Sequence, residues 1–179
     1  MKTRELTSLL IRDEEETEIG GQVIAILRDE TTGLYRVHKT RNIVTDAGDV
    51  YYAQSAVGET PTNDFDSLEL GSAGTPAKGA DRSDFTPIAS TEKLETATYP
   101  KTNDGDSDNT GAGVDVATHQ FAYAAGDFNH AAITHGWITN PTPGASEPIL
   151  TGFAFTGGAF AKTASDTLKV IVNHTFNGV

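Results

Sequence analysis

Apolar residues in this chain come mostly at every second position, in short bursts separated by Gly, Asp, Asn, Thr and Pro. Such alternation puts one side of a segment in a core and the other in water, which is the pattern of a half-buried strand. Gln22 to Arg28 is apolar and β-branched. Asp29-Glu30-Thr31-Thr32-Gly33 reads as a turn, and Leu34 to Thr40 alternates Leu34, Arg36, His38 against Tyr35, Val37, Lys39. Together they predict a hairpin, which Asn42-Ile43-Val44 extends. The period then changes. Thr45 or Asp46 caps a helix running to about Gln54, with Val50, Ala53 and Val57 at helical spacing.

Strand patterns return at Leu68 to Gly71, Val114 to Tyr123, Ala131 to Thr139, Ile149 to Thr156 and Leu168 to Phe176. Residues 58–66 are a loop, and residues 71–113 are too poor in large apolar groups to form a core alone. They are expected to lie over a core as long loops with short strands. About seven or eight short strands, one helix and no βαβ rhythm predict a mainly β fold. The expected form is an antiparallel β-sandwich, jelly-roll-like, with one short helix and long loops. Its expected core is Val23, Ile26, Leu34, Val37, Ile43, Leu68, Leu70, Phe121, Ile133, Trp137, Phe153, Phe155, Leu168, Val170 and Val172.

Residues 1–21 read as an N-terminal arm and residues 22–179 as the β-sandwich domain. Asp13, Glu14, Glu15, Glu16 and Glu18 form an acidic run, and Gly20-Gly21 marks the boundary. Leu6, Leu9, Leu10 and Ile11 would be buried if the arm tethers the chain to a partner surface. The opening residues lack the long apolar stretch of a signal peptide.

Composition narrows the function. Thirteen Lys+Arg against 25 Asp+Glu leave a net charge of −12, which phosphate backbones repel, so nucleic acid is not an expected partner. The longest aliphatic run, Val23 to Leu27, is far below the ~20 residues of a membrane-spanning helix. There is no cysteine, hence no disulfide, thiol nucleophile or thiolate metal site. No nucleophile-elbow, phosphate-loop, dinucleotide or zinc-protease motif occurs, so a non-enzymatic role is expected. His38, His119, His130, His135 and His174 are scattered, and Glu92 and Glu95 read as a solvated helical turn.

One segment has ligand spacing. Asp104, Asp106, Asp108 and Asp115 occupy positions 1, 3, 5 and 12 of a loop, with the Thr110 carbonyl at position 7. Calcium takes six to eight oxygens from such a short loop, so calcium is the candidate ion. Position 6 is Asn109 rather than Gly, and position 12 is Asp rather than the longer Glu. A solvated acidic loop is the alternative.

The order of several segments adds a resemblance. Asn42-Ile43-Val44-Thr45-Asp46-Ala47-Gly48 is followed by Leu68-Glu69-Leu70-Gly71-Ser72 and Asp81-Arg82-Ser83-Asp84-Phe85. Then come Ile133-Thr134-His135-Gly136-Trp137 and Lys162-Thr163-Ala164-Ser165-Asp166-Thr167-Leu168-Lys169-Val170. The set resembles small structural proteins of tailed bacteriophages and tailed archaeal viruses, over roughly 22–176. The resemblance implies a virion part without fixing which one; the expected role is a capsid decoration, cement or turret protein on the exterior surface that binds the major capsid protein or other virion proteins, as a homo-oligomer. A tail-tip or fibre-associated host-contact protein is the alternative. A calcium-dependent carbohydrate-binding module is a third reading, set back by a single tryptophan.

Overall fold

A computed structural model describes residues 21–96 and 114–177. The described residues are mainly β with one α-helix, as the patterning requires. Strand β1 (Gln22–Asp29) and strand β2 (Tyr35–Val44) form the hairpin. Asp29 closes its turn by accepting from the backbone of Thr31 at 2.8 Å and Thr32 at 3.2 Å. Helix α1 (Asp46–Ala56) follows at once, with Thr45 as N-cap accepting from Gly48 N at 3.1 Å. A side chain at Gly48 would meet the Leu150 carbonyl, so the helix start can approach the sheet only with glycine there.

The remaining elements are β3 (Ser67–Gly74), a 3-10 turn (Arg82–Asp84), β4 (Phe85–Pro87), β5 (Lys93–Leu94), β6 (Val114–Tyr123), β7 (His130–Ile133), β8 (His135–Thr139), β9 (Ile149–Ala154), β10 (Phe160–Lys162) and β11 (Asp166–Asn177). Nine strands form one curled antiparallel sheet in the order β4-β3-β8-β9-β2-β1-β11-β6, with β5 joined to β3. Strands β10 and β7 form a small second sheet. The curl occurs in β2. Residues Tyr35 to Arg41 pair with β1, whereas Asn42 to Val44 pair with β9. One strand therefore belongs to two layers, β2-β1-β11-β6 and β4-β3-β8-β9, and the fold is sandwich-like.

The core lies between the layers. Val23, Ala25 and Leu27 of β1, Leu168, Val170 and Val172 of β11, and Phe121 of β6 face Leu68, Leu70, Ile138, Leu150 and Phe153. Of the expected core, Val23, Leu68, Leu70, Phe121, Ile133, Trp137, Phe153, Phe155, Leu168, Val170 and Val172 are buried. Four residues are not: Ile26 is only partly buried, and Leu34, Val37 and Ile43 are exposed. The inward positions of β2 are polar instead. Thr40 Oγ1 donates to Ala154 O at 2.5 Å, and Asn42 Nδ2 donates to Thr151 Oγ1 at 2.9 Å. A bending strand needs side-chain partners for the backbone it crosses, so polar residues hold the inside and the apolar set takes the outside.

Other boundaries also differ from expectation. The stretch Ala131 to Thr139 is two strands, broken at Thr134, whose N–H donates to Gly71 O at 3.0 Å and whose carbonyl accepts from Phe155 N at 2.8 Å. Glu92 and Glu95 do not share a helical turn, because Lys93–Leu94 is a strand paired with Ser67 and Leu68 of β3.

The loop-rich segment after β3 builds a third layer over β3, β8 and β9. Phe85 stacks on Trp137 at 4.7 Å between ring centroids, with Ala80 and Ile149 beside them. Beneath this cover lies buried Glu69. Trp137 Nε1–H donates to its Oε2 at 2.9 Å, and Arg82 donates through Nε and Nη2 at 2.6 and 2.9 Å. A buried carboxylate costs little only when its oxygens are satisfied in this way. Asp81 and Asp84 cap the 3-10 turn reciprocally, which fixes Arg82 above the carboxylate.

Trp137→Ala should therefore cost about 3–5 kcal/mol, since it opens a cavity and also removes one partner of Glu69. Denaturant unfolding checks it, and a cost below about 1 kcal/mol would contradict the packing described.

Candidate functional site

The calcium spacing falls largely outside the described residues. Asp104, Asp106 and Asp108 lie there, and Asp115 is the second residue of β6, its backbone opposite Phe176. Among the described residues, no group of three His, Asp or Glu side chains stands where it could hold a metal ion.

The histidines are more ordered than their scatter implied. His130 and His135 sit on separate strands, β7 and β8. His38 stacks on Phe160 at 4.4 Å. His119 and His174 come together under α1, with ring centroids 5.4 Å apart. The Tyr52 hydroxyl lies between them, in hydrogen-bond contact with His174 Nδ1 and 3.3 Å from His119 Nε2. His119 Nδ1 is 3.3 Å from Glu95 Oε1. Glu95 is thus buried against an imidazole, not solvated as the sequence suggested.

The electrostatics make this cluster a pin for the helix. Burial first, and the neighbouring His119 second, hold His174 well below the usual imidazole range. Burial, then Tyr51 and Glu95, push the Tyr52 phenol far up. At neutral pH the phenol keeps its proton as a donor and His174 stays uncharged. The sequence signal was parity. His119 alternates with Phe121, and His174 with Val170 and Val172, so both stand on the inward face.

A second arrangement is at the surface. Pairing of β2, β1, β11 and β6 sets which residues point outward: Gln22, Ile24, Ile26, Arg28; Tyr35, Val37, Lys39, Arg41, Ile43; Thr167, Lys169, Ile171, Asn173, Thr175; and Val116, Thr118, Gln120, Ala122. None is acidic, although the chain has 25 Asp and Glu against 13 Lys and Arg. Lys39, Arg41 and Lys169 surround an apolar centre of Ile24, Ile26, Val37 and Ile171. Arg28 stands at the hairpin end, 3.5 Å from Glu30 and over the Tyr35 ring. Val37 is 39% exposed, Tyr35 49% and Leu34, at the turn, 68%. Gln120 is buried at the β6 end, where its carbonyl accepts from Thr96 N at 2.8 Å. A basic and apolar patch on an acidic chain is chemically suited to docking.

The segments that carry the viral resemblance share Ile43, Thr167 and Lys169 with this face, and their other residues lie elsewhere. Thr45 and Gly48 set the start of α1, and Asp81 to Phe85 holds the cover over Trp137. Lys162 is buried with its Nζ donating to Phe128 O at 3.1 Å. Asp166 ties the next turn through Thr163 N at 2.8 Å and Arg36 at 3.0 Å. These residues fix backbone geometry. Comparison with protein-family models, with curated proteins and with solved structures finds no match.

The pinned helix gives stability a pH dependence. His38, His135 and His174 are all held below the ordinary imidazole value, in each case chiefly by burial. The unfolded chain therefore takes up protons near pH 6.5 that the folded chain refuses. Stability is full above that pH and falls as pH drops below it. Asp29, Asp81, Asp127 and Asp166 have lowered values and act only below about pH 4. His174→Gln should flatten the slope between pH 6.5 and 5 by up to about 1.4 kcal/mol per pH unit. Denaturant unfolding across that range checks it, and an unchanged slope contradicts it.

Proposed function

We propose that this chain is a non-enzymatic virion structural protein, bound to the outside of a capsid shell as a decoration, cement or turret component. The observation that carries the reading is the acid-free outward face of β2, β1, β11 and β6, with Val37 exposed among Lys39, Arg41 and Lys169. An acidic protein that keeps one face free of carboxylates has a surface fit to meet another acidic or apolar surface. The ordered resemblance to tailed-virus structural proteins supports the same reading. Partners are the major capsid protein and further copies of this chain. The carbohydrate-binding alternative loses its platform, because Trp137 is fully buried beneath Phe85.

Immunogold labelling of purified particles, with antibody raised against the isolated chain, tests the assignment. Label over the capsid is expected. Label confined to the tail transfers the chain to the tail-tip class, and particles without label end the virion reading. Lys39→Glu with Lys169→Glu should weaken binding to capsids stripped of this chain by about tenfold or more, read by co-sedimentation at fixed salt.

A further inference from the structure

Two buried polar atoms meet across Gly21. Asn42 Nδ2 donates to Thr151 Oγ1 at 2.9 Å, and Thr151 gives its only hydroxyl proton to the Ile43 carbonyl, also at 2.9 Å. Thr151 can therefore only accept from Asn42, which orients the amide and leaves its Oδ1 as the outer acceptor. That oxygen lies over Gly21. Asn42 N donates to Gly21 O at 3.2 Å, and a side chain on Gly21 would overlap Asn42 Oδ1. The pairing of Gln22 with Asn173, carried one residue further, sets Gly21 beside His174 of β11. Asn42, Gly21 and His174 thus form one inward row with a glycine in the middle. Asn42 Oδ1 and His174 Nε2 are both buried, and neither has a hydrogen-bond partner among the described residues.

The protons of the cluster under α1 decide what His174 Nε2 is. A carboxylate only accepts, so Glu95, 3.3 Å from His119 Nδ1, selects the neutral imidazole with its proton on that nitrogen. His119 Nε2 is then an acceptor, and the Tyr52 hydroxyl 3.3 Å away is its donor. Having given its one proton to His119, the Tyr52 oxygen accepts from His174 Nδ1. Burial, with His119 adding to it, keeps His174 uncharged, so its Nε2 carries a lone pair. The two ring nitrogens lie on opposite sides, and Nε2 turns away from Tyr52 toward Gly21 and Asn42. Two acceptors cannot bond each other; they need a donor of two protons between them.

We propose that one water molecule is bound inside the fold between His174 Nε2 and Asn42 Oδ1, giving one proton to each. Across β1 the backbones of Asn42 and His174 are roughly 10 Å apart. The amide and the imidazole reach into that width from its two ends, and Gly21 places no side chain between them. Buried waters occupy such sites, where polar groups would otherwise lack partners. The water makes one chain of Glu95, His119, Tyr52, His174, Asn42, Thr151 and the Ile43 carbonyl. The docking of α1 and the bend of β2 become two ends of one network, in which a donor changed at one end resets protons at the other. The rival network reverses every proton: His119 as imidazolium donates to Tyr52, Tyr52 donates to His174 Nδ1, and Nε2–H donates straight to Asn42 Oδ1. It requires a direct bond that the fold does not make. The inference concerns the inside of the chain and stands apart from the capsid assignment.

Nuclear magnetic resonance of the full chain, labelled with nitrogen-15 in histidine, separates the two networks at neutral pH. Long-range proton–nitrogen correlation should show His174 protonated at Nδ1 and bare at Nε2. The Hε1 proton of His174, which lies between the two nitrogens, should give a cross-peak to a water that exchanges slowly with the bulk. A His174 protonated at Nε2 overturns the proposal, and so does a bare Nε2 with no water cross-peak. Tyr52→Phe removes the acceptor of the Nδ1 proton, so in that variant His174 should carry its proton on Nε2, where the water or Asn42 accepts it. Circular dichroism verifies that the variant is folded, and an unchanged tautomer in the folded variant contradicts the relay. The measurement on the wild-type chain decides the proposal even where the variant does not fold.

Discussion

Thr40, Asn42 and Thr45 reach from β2 and the start of α1 into β9, and the two-layer arrangement depends on that contact. Thr40 bonds the Ala154 carbonyl, Asn42 bonds Thr151, Thr151 returns a bond to the Ile43 carbonyl, and Thr45 reaches the Ile149 carbonyl. The backbone of Thr45 also donates to Leu150 O at 3.0 Å. A strand that leaves one neighbour for another exposes peptide groups at the bend. Left dry and unpaired, each would cost about 1–3 kcal/mol. Short hydroxyl and amide side chains satisfy them without spreading the layers, so polarity inside the bend allows apolar packing on either side of it.

That same contact explains where sequence reasoning succeeded and where it slipped. Strand β11 alternates, so Leu168, Val170 and Val172 were legible, as was Phe121 in β6, whereas β1 is apolar throughout from Val23 to Leu27, so Ile26 was expected inside while the buried Ala25 and Leu27 were passed over. In β2 the rule inverts. Val37 and Ile43 are the larger apolar groups, yet the needs of β9 turn His38, Thr40 and Asn42 inward. No local pattern in β2 announces a partner more than a hundred residues away. Helix α1 was legible from Thr45 and the change of period. The pairing of His119 with His174 was legible only as parity, because Tyr52, which joins them, comes from a helix whose docking is tertiary. The cover formed by Arg82, Phe85 and Trp137 was foreseen as loops over a core, but not the buried Glu69 at its centre.

The distribution of roles follows from this division. Residues that carry the ordered resemblance make caps, turns and close approaches, where few side chains are tolerated. The candidate docking face is made of alternating outward strand positions, where many side chains fit and charge sign matters more than identity. The calcium spacing at Asp104, Asp106, Asp108 and Asp115 belongs to neither set, since three of its four carboxylates lie outside the described residues.

The position of β11 between β1 and β6 has a consequence for synthesis. Register pairs Gln22 with Asn173 and Asp29 with Asp166, so the strand that completes this layer leaves the ribosome long after the hairpin it joins. Until then β1 has an open edge and Val23, Ala25 and Leu27 lack their facing partners. Chains built on such distant pairings fold slowly, in milliseconds to seconds, and are vulnerable to strand exchange meanwhile. Arg28, Lys39 and Arg41 stand on the outward side of that hairpin, and like charges on two such hairpins oppose their pairing edge to edge.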